Sequence, residues 1–195
     1  MSSDGDAVEH NAGYTYRQAW GPSARIEARA RLQGVMDDDH DLMSLVDAAA
    51  RVVRELLAAR TATVTVLDGE AYRDLVKVGD LEPGEEIVST ERYPTELYPE
   101  ATARLLARRP YVSTERIDEI EQEHEQLVPP TLVSCFMGVP IVADGAVRGE
   151  LFVTRVVGAP QFTADDVEVA GDLATQFGVQ LGALLAKKHV DDPLW

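Results

Sequence analysis

Residues 132–157 read LVSCFMGVPIVADGAVRGELFVTRVV, and this stretch decides the fold. Asp144-Gly145 is a tight-turn signal between two long β-prone runs, so the stretch predicts a hairpin. The first run is almost wholly apolar, which predicts a strand covered on both faces rather than one facing water. Pro140 lacks an N–H and suits an edge or a bulge, where it would bend the strand. Gly138 admits a close approach, and together with Pro140 and Gly149 it reads as architectural.

Downstream, Pro160-Gln161-Phe162-Thr163 opens a long helix. Thr163 is a natural N-cap with Asp166 at the third helical position, and Phe162 is placed to staple onto Val167. The stripe Val167, Ala170, Ala174, Phe177, Leu181, Leu184 and Leu185 carries the helix to about Lys188, leaving a tail at 189–195. Gly178 and Gly182 permit tight contact, either with the helix at 42–57 or across a dimer.

Upstream, residues 61–67 (TATVTVL), Asp68-Gly69 and residues 71–78 (AYRDLVKV) predict a second hairpin. Before it, Leu42, Leu45, Val46, Ala49, Val52, Val53, Leu56 and Leu57 follow the 3.6 period of an amphipathic helix. The acidic run DDDHD at 37–41 lacks the spacing of a calcium loop and reads instead as carboxylates at that helix's positive end. Residues 23–36 predict a helix with a weak stripe at Ile26, Leu32, Val35 and Met36. Residues 1–22 are rich in small polar residues and read as a flexible segment, with Tyr14, Tyr16 and Trp20 as anchors onto the domain's own surface.

Between the hairpins, residues 79–130 are too long for a mere connection. They predict a short strand near 86–89, a helix over 95–107, a short strand at 111–113 and an acidic helix over 115–127. The order of elements predicts one α+β domain over 23–188, an antiparallel sheet with its terminal helices packed on one face. The irregular middle segment covers the other face, and a hollow between the two is the place for a small molecule.

The chain has 195 residues and a net charge of −16, which disfavours nucleic acid and anionic membrane as direct partners. No run reaches the length and apolarity of a bilayer span, and the first residues lack a secretory pattern, so a cytoplasmic setting is expected. The single cysteine, Cys135, sits in an apolar strand with no cation nearby and reads as a buried inert thiol, not a nucleophile or covalent anchor. None of His10, His40, His124 and His189 lies in a recognisable triad, and no phosphate loop or paired-cysteine site occurs. The protein is therefore expected not to be an enzyme.

Four features resemble the GAF domain, the small-molecule-sensing module of bacterial signalling proteins, phosphodiesterases and phytochromes. They are the Ser134-to-Ile141 strand with Val139-Pro140-Ile141, the Gly145–Gly149 turn region leading into Leu151 to Thr154, the Pro160-Gln161-Phe162-Thr163 opening with Asp165-Asp166, and the Leu173-Ala174-Thr175-Gln176 helix. Their order, with the helix and hairpin at 42–78, extends the resemblance over about 40–188. Within the family the pattern is most similar to GAF domains of actinobacterial sensor proteins. Haem-binding members carry a histidine just before a Pro-Pro pair. Here Val128 precedes Pro129-Pro130, and His124, four residues away on the acidic helix, reads as solvent-facing instead of a haem ligand.

The resemblance implies a GAF-like fold and a bacterial, non-catalytic sensory domain. A small molecule would lie between sheet and covering segment, lined by Val88, Tyr93, Tyr98, Tyr111, Leu127, Cys135, Met137 and Phe152, with no particular cofactor specified. The terminal helices would carry the signal to a partner protein and form a homodimer. Two other readings follow from the same residues. One is a ligand-free dimerisation or adaptor domain. The other is an enzyme like the free methionine sulfoxide reductase, which needs a second, resolving thiol that the chain lacks.

Overall fold

The computed structural model describes residues 7–10, 14–17, 19–37, 41–83, 92–113 and 133–191. The elements in chain order are β1 (Ala7–His10), β2 (Tyr14–Arg17), α1 (Pro22–Asp37), α2 (Leu42–Leu56), β3 (Thr61–Asp68), β4 (Ala71–Gly79), β5 (Tyr93–Pro94), a 3-10 turn (Thr95–Leu97), α3 (Pro99–Leu106), β6 (Tyr111–Val112), β7 (Val133–Ala143), β8 (Ala146–Val156) and α4 (Ala164–Asp191). The main sheet has six strands in the order β5-β4-β3-β8-β7-β6, every neighbouring pair antiparallel. This is the α+β arrangement read from the sequence.

Asp144 and Gly145 both adopt positive φ, 51° and 72°, the backbone a tight turn between right-twisted strands requires. The first hairpin turns one residue later than Asp68-Gly69 suggests. Asp68 pairs with Ala71, so Gly69 (φ 65°) and Glu70 form the turn. A bulge opposite Val64 and Thr65 accommodates Leu75 as an extra residue of β4, shifting which of its residues face the helices.

Between β4 and β7 the chain forms less helix than the 95–107 pattern predicts. Pro99 ends the 3-10 turn and starts α3 at its first helical position, where a missing N–H costs nothing. The predicted strand near 86–89 and the acidic helix over 115–127 lie outside the described residues.

One face of the sheet packs against α2 and α4, and α1 packs on those two helices. Ala62, Val64, Val66, Cys135, Met137, Val139, Ile141, Leu151 and Val153 meet Leu45, Val46, Ala49, Val53, Leu173, Ala174, Phe177 and Leu181 in one apolar core. In α1 the inward residues are Ala28, Leu32 and Met36, spaced by four, while Ile26 falls off that row and is 68% exposed. Helices α1 and α4 run parallel. Arg25 pairs with Asp165 and Glu168, Arg29 with Asp172, and Gln33 with Gln176.

The stretch before α1 is more firmly held than its composition suggests. Tyr16 and Trp20 are buried, and Trp20 Nε1 donates to Asp166 Oδ1 at 2.8 Å. Asp166 Oδ2 also accepts from the Thr163 backbone N–H, while Thr163 Oγ1 accepts from the Asp166 N–H, which is the predicted cap at the start of α4. The same carboxylate meets Arg155, 3.2 Å away and fully buried.

Gly178 and Gly182 are not packed against α2. They lie on the end of β7, where a Cβ on Gly178 would sit 2.3 Å from the Val142 carbonyl oxygen. Gly178→Ala should therefore destabilise the protein by about 1–3 kcal/mol. Gly171→Ala, with open space around the position, should stabilise by up to about 1 kcal/mol. Urea midpoints of the two variants check the contrast.

Candidate functional site

The face of the sheet turned away from the helices has a different chemistry. Alternation along β3 sends Ala62, Val64 and Val66 to the helical core and leaves Thr61, Thr63 and Thr65 on the other side. In the same way β7 places Phe136 and Gly138, and β8 places Glu150, Phe152 and Thr154, on that second face. Around them a second apolar cluster gathers Tyr72, Tyr98, Tyr111, Phe136 and residues of α3, with Tyr93 and Phe152 partly buried against it.

The rings form two groups. Tyr72, Tyr93 and Tyr98 meet pairwise with centroids 5.8–6.3 Å apart. Phe136 stands between Tyr111, at 6.3 Å, and Phe152, at 5.6 Å. The phenols find polar partners: Tyr72 pairs with Thr102 (2.8 Å), Tyr93 donates to Asp74 Oδ1, and Tyr111 donates to Glu150 Oε1. Thr65 Oγ1 also donates to Asp74 Oδ1, at 2.6 Å.

Gly138 makes room for the buried pair. Register sets it beside Tyr111 on one side and Phe152 on the other, and a Cβ there would overlap both Glu150 Oε1 and the Tyr111 ring. Here the absence of a side chain is what the phenol and the carboxyl occupy.

Burial is the main reason the Glu150 carboxyl is pushed up to about 8; the Tyr111 bond pulls it down and the Asp74 charge raises it. Burial and Asp74 together hold the Tyr93 phenol well above its ordinary range. The sign for stability follows from proton counting. Between the ordinary value, 4.5, and about 8 the folded state binds the extra proton, so this contribution is lost as pH rises through that window. The loss amounts to at most about 1.4 kcal/mol per pH unit and flattens above about pH 8. Urea titrations from about pH 5 to about pH 9 should show this decline, and Glu150→Gln should abolish it.

Of the eight residues expected to line a site, Tyr93, Tyr98, Tyr111 and Phe152 come together on this face. Val88 and Leu127 lie outside the described residues, as do the side chains of all four histidines, His124 among them. Cys135 and Met137 are corrected by the structure. They flank Phe136 and so point the other way, into the helical core, both buried. The Cys135 thiol donates to the Pro160 carbonyl at 3.6 Å. Sequence reasoning missed Tyr72, Asp74, Phe136 and Glu150. The signal for Glu150 was a lone acid inside the apolar run of β8, and for Phe136 the strict parity of β7.

A separate open groove of about 500 Å³ runs along the outer side of α3 between Glu70, Pro94, Glu96 and Leu106. It shares with the tyrosine face only Thr102. Among the described residues there is no His, Cys, Asp and Glu grouping suited to a metal ion, and no helix long and apolar enough to cross a membrane.

The family model of the GAF domain matches residues 41–181, from the cap of α2 to Leu181 in α4. The chain belongs to the GAF domain family. No curated protein matches it by sequence. Solved GAF structures share its fold at low identity. The phycocyanobilin-bound GAF domain of a cyanobacterial phytochrome has a TM-score of 0.68 and 13% identity, covering 85% of this chain and 97% of that one. A GAF domain/HD domain protein of Geobacter sulfurreducens gives 0.63 and 19%, covering 80% and 99%. The GAF domain of an Acinetobacter phosphoenolpyruvate-protein phosphotransferase gives 0.65 and 15%, covering 87% and 97%. Within this GAF domain the aromatic and acidic side chains described above occupy the sheet face away from the helices.

Proposed function

We propose that this GAF domain is a non-catalytic sensory module of a bacterial cytoplasm, of the kind found in actinobacterial sensor proteins. It holds a small molecule over the tyrosine-rich face of its sheet, beneath the 79–130 segment. The observation that carries this reading is the Tyr111–Glu150 pair buried over Gly138 among edge-on and tilted rings. A face built only for packing would be apolar there, since an acid buried without a cation costs free energy. Tyr93, Tyr98, Tyr111 and Phe152 line the site, joined by Val88 and Leu127 from the covering segment. Similar folds whose names record a bound phycocyanobilin or biliverdin support the placement of a guest in such a domain.

Strand β8 supplies the route outward. Glu150 and Phe152 face the guest, and three positions on, Arg155 grips the first turn of α4 through Asp166. A guest that displaces β8 biases the terminal helices, which pass the change to a partner protein and carry a homodimer contact.

Thermal melts of the protein with cyclic nucleotides, haem and amino acids, together with mass spectrometry of compounds extracted from protein purified from its native cells, test the reading. A guest at a hundred times its Kd should add about 2.7 kcal/mol of stability. If nothing stabilises the fold and nothing co-purifies, the ligand-free adaptor reading takes its place.

A further inference from the structure

Asp74 and Glu150 lie in one register row, on either side of Thr65. Strand spacing sets their backbones about 10 Å apart with both side chains on the tyrosine face. Each carboxyl is held through one oxygen only. Asp74 Oδ1 accepts from Tyr93 and Thr65, and Glu150 Oε1 accepts from Tyr111. Among the described residues, Asp74 Oδ2 and Glu150 Oε2 accept no hydrogen bond, and neither carboxyl has a cation within ion-pair distance. Lys77, in the next row opposite Thr63, reaches neither of them. Yet Glu150 is only 7% exposed.

Phenols and hydroxyls are neutral donors, so they orient these carboxyls without balancing a charge on them; Glu150 keeps its proton while no cation faces it and releases it to solvent when one does. Two convergent acceptors in a partly dry setting call for N–H donors or positive charge. The rings beside them call for a flat guest: Phe152 follows Glu150 on the same face of β8 and packs against Phe136. We propose that the site selects a planar guest bearing N–H groups, an amidine or an amino-substituted nitrogen ring. Its N–H groups bond Asp74 Oδ2 and Glu150 Oε2, while its ring lies against the Phe136–Phe152 side. Phosphates and carboxylates are repelled by the Asp74 carboxylate and gain no cation from Glu150. This assignment rests on the sensory reading above and narrows it.

Benzamidine and benzoate have nearly the same shape and opposite charge, so they form the test, by calorimetric titration and thermal melts of the full chain at neutral pH. Benzamidine should bind saturably and benzoate should not. Asp74→Asn and Glu150→Gln should each weaken benzamidine by about tenfold or more. Glu27→Gln, an exposed acid on α1, controls for general attraction to a chain of net charge −16 and should leave binding unchanged. Circular dichroism confirms the fold of each variant, and the part-exposed Asp74 provides a second variant should Glu150→Gln not fold. Equal binding of benzoate, loss of binding in Glu27→Gln equal to that in the site variants, indifference to both site substitutions, or no binding of benzamidine at millimolar concentration overturns the assignment. A retained anionic metabolite would overturn the guest's class and leave the sensory role standing, whereas an empty metabolite screen counts against the role itself.

Discussion

Arg155→Met should lower the unfolding free energy by about 3–5 kcal/mol, the cost of leaving one partner of a buried ion pair behind. Arg155 is 2% exposed and holds four acceptors from two segments of chain. Its Nη2 donates to the Leu57 carbonyl at 2.9 Å and to Asp166 at 3.2 Å, and its Nη1 donates to the carbonyls of Pro160 and Gln161, each at 3.2 Å. The guanidinium also lies 4.1 Å from the centre of the Phe162 ring and 5.0 Å from that of Tyr16. Methionine fills part of the volume but takes the guanidinium donor from the Leu57 and Gln161 carbonyls, leaves the Pro160 carbonyl with the weak Cys135 thiol, and leaves a buried carboxylate without its cation. Trp20→Phe, which removes one hydrogen bond to the same carboxylate, should cost only about 1–2 kcal/mol. Adding Asp166→Asn to Arg155→Met should cost less than the sum of the separate changes, because the orphaned charge is gone. Guanidinium unfolding curves at one pH measure all four, and a loss below about 1 kcal/mol for Arg155→Met would show that the pair holds nothing together.

Gly138→Ala should cost about 2–4 kcal/mol, combining overpacking with loss of a buried hydrogen bond. Its Cβ would stand 1.9 Å from Glu150 Oε1 and 2.2 Å from Tyr111 Cζ. Neither neighbour is free to yield, since Tyr111 is 1% and Glu150 7% exposed. The phenol must leave its carboxyl, so the near-ultraviolet tyrosine spectrum should change along with the unfolding midpoint. If the position is instead slack, the variant will melt within about half a kilocalorie of the parent. Gly149→Ala provides a comparison of a different kind, because its Cβ would strike the Thr65 backbone carbonyl at 2.0 Å and open the β3–β8 ladder rather than the site.

The fold was legible because its signals are local. Asp144-Gly145 needs two positive φ angles and announces its own hairpin, and the stripe of α2 repeats with the helical period. The site was legible in composition but not in orientation. Cys135, Phe136 and Met137 are equally apolar, and only the parity of β7 against its neighbours decides which of them turns toward the tyrosines. The bulge at Leu75 resets that parity within β4, so Asp74 joins Thr65 on the tyrosine face for a reason no hydropathy pattern carries. That Tyr16 and Trp20 anchor the first residues was legible in their size, but their partners were hidden. Tyr16 rests on Arg155 and Trp20 bonds Asp166, both distant in sequence, and a helix cap was the only role that the position of Asp166 disclosed.

The polar rungs joining α1 to α4 keep a constant offset of 143 residues: Arg25 to Glu168, Arg29 to Asp172 and Gln33 to Gln176. A constant offset in parallel helices makes the seam a toothed rack. Sliding α4 by four residues, about 6 Å, would bring Asp172 to Arg25 and Gln176 to Arg29, so two of the three teeth re-engage. A half step would engage none, and the seam therefore clicks between settings where a greasy interface would creep.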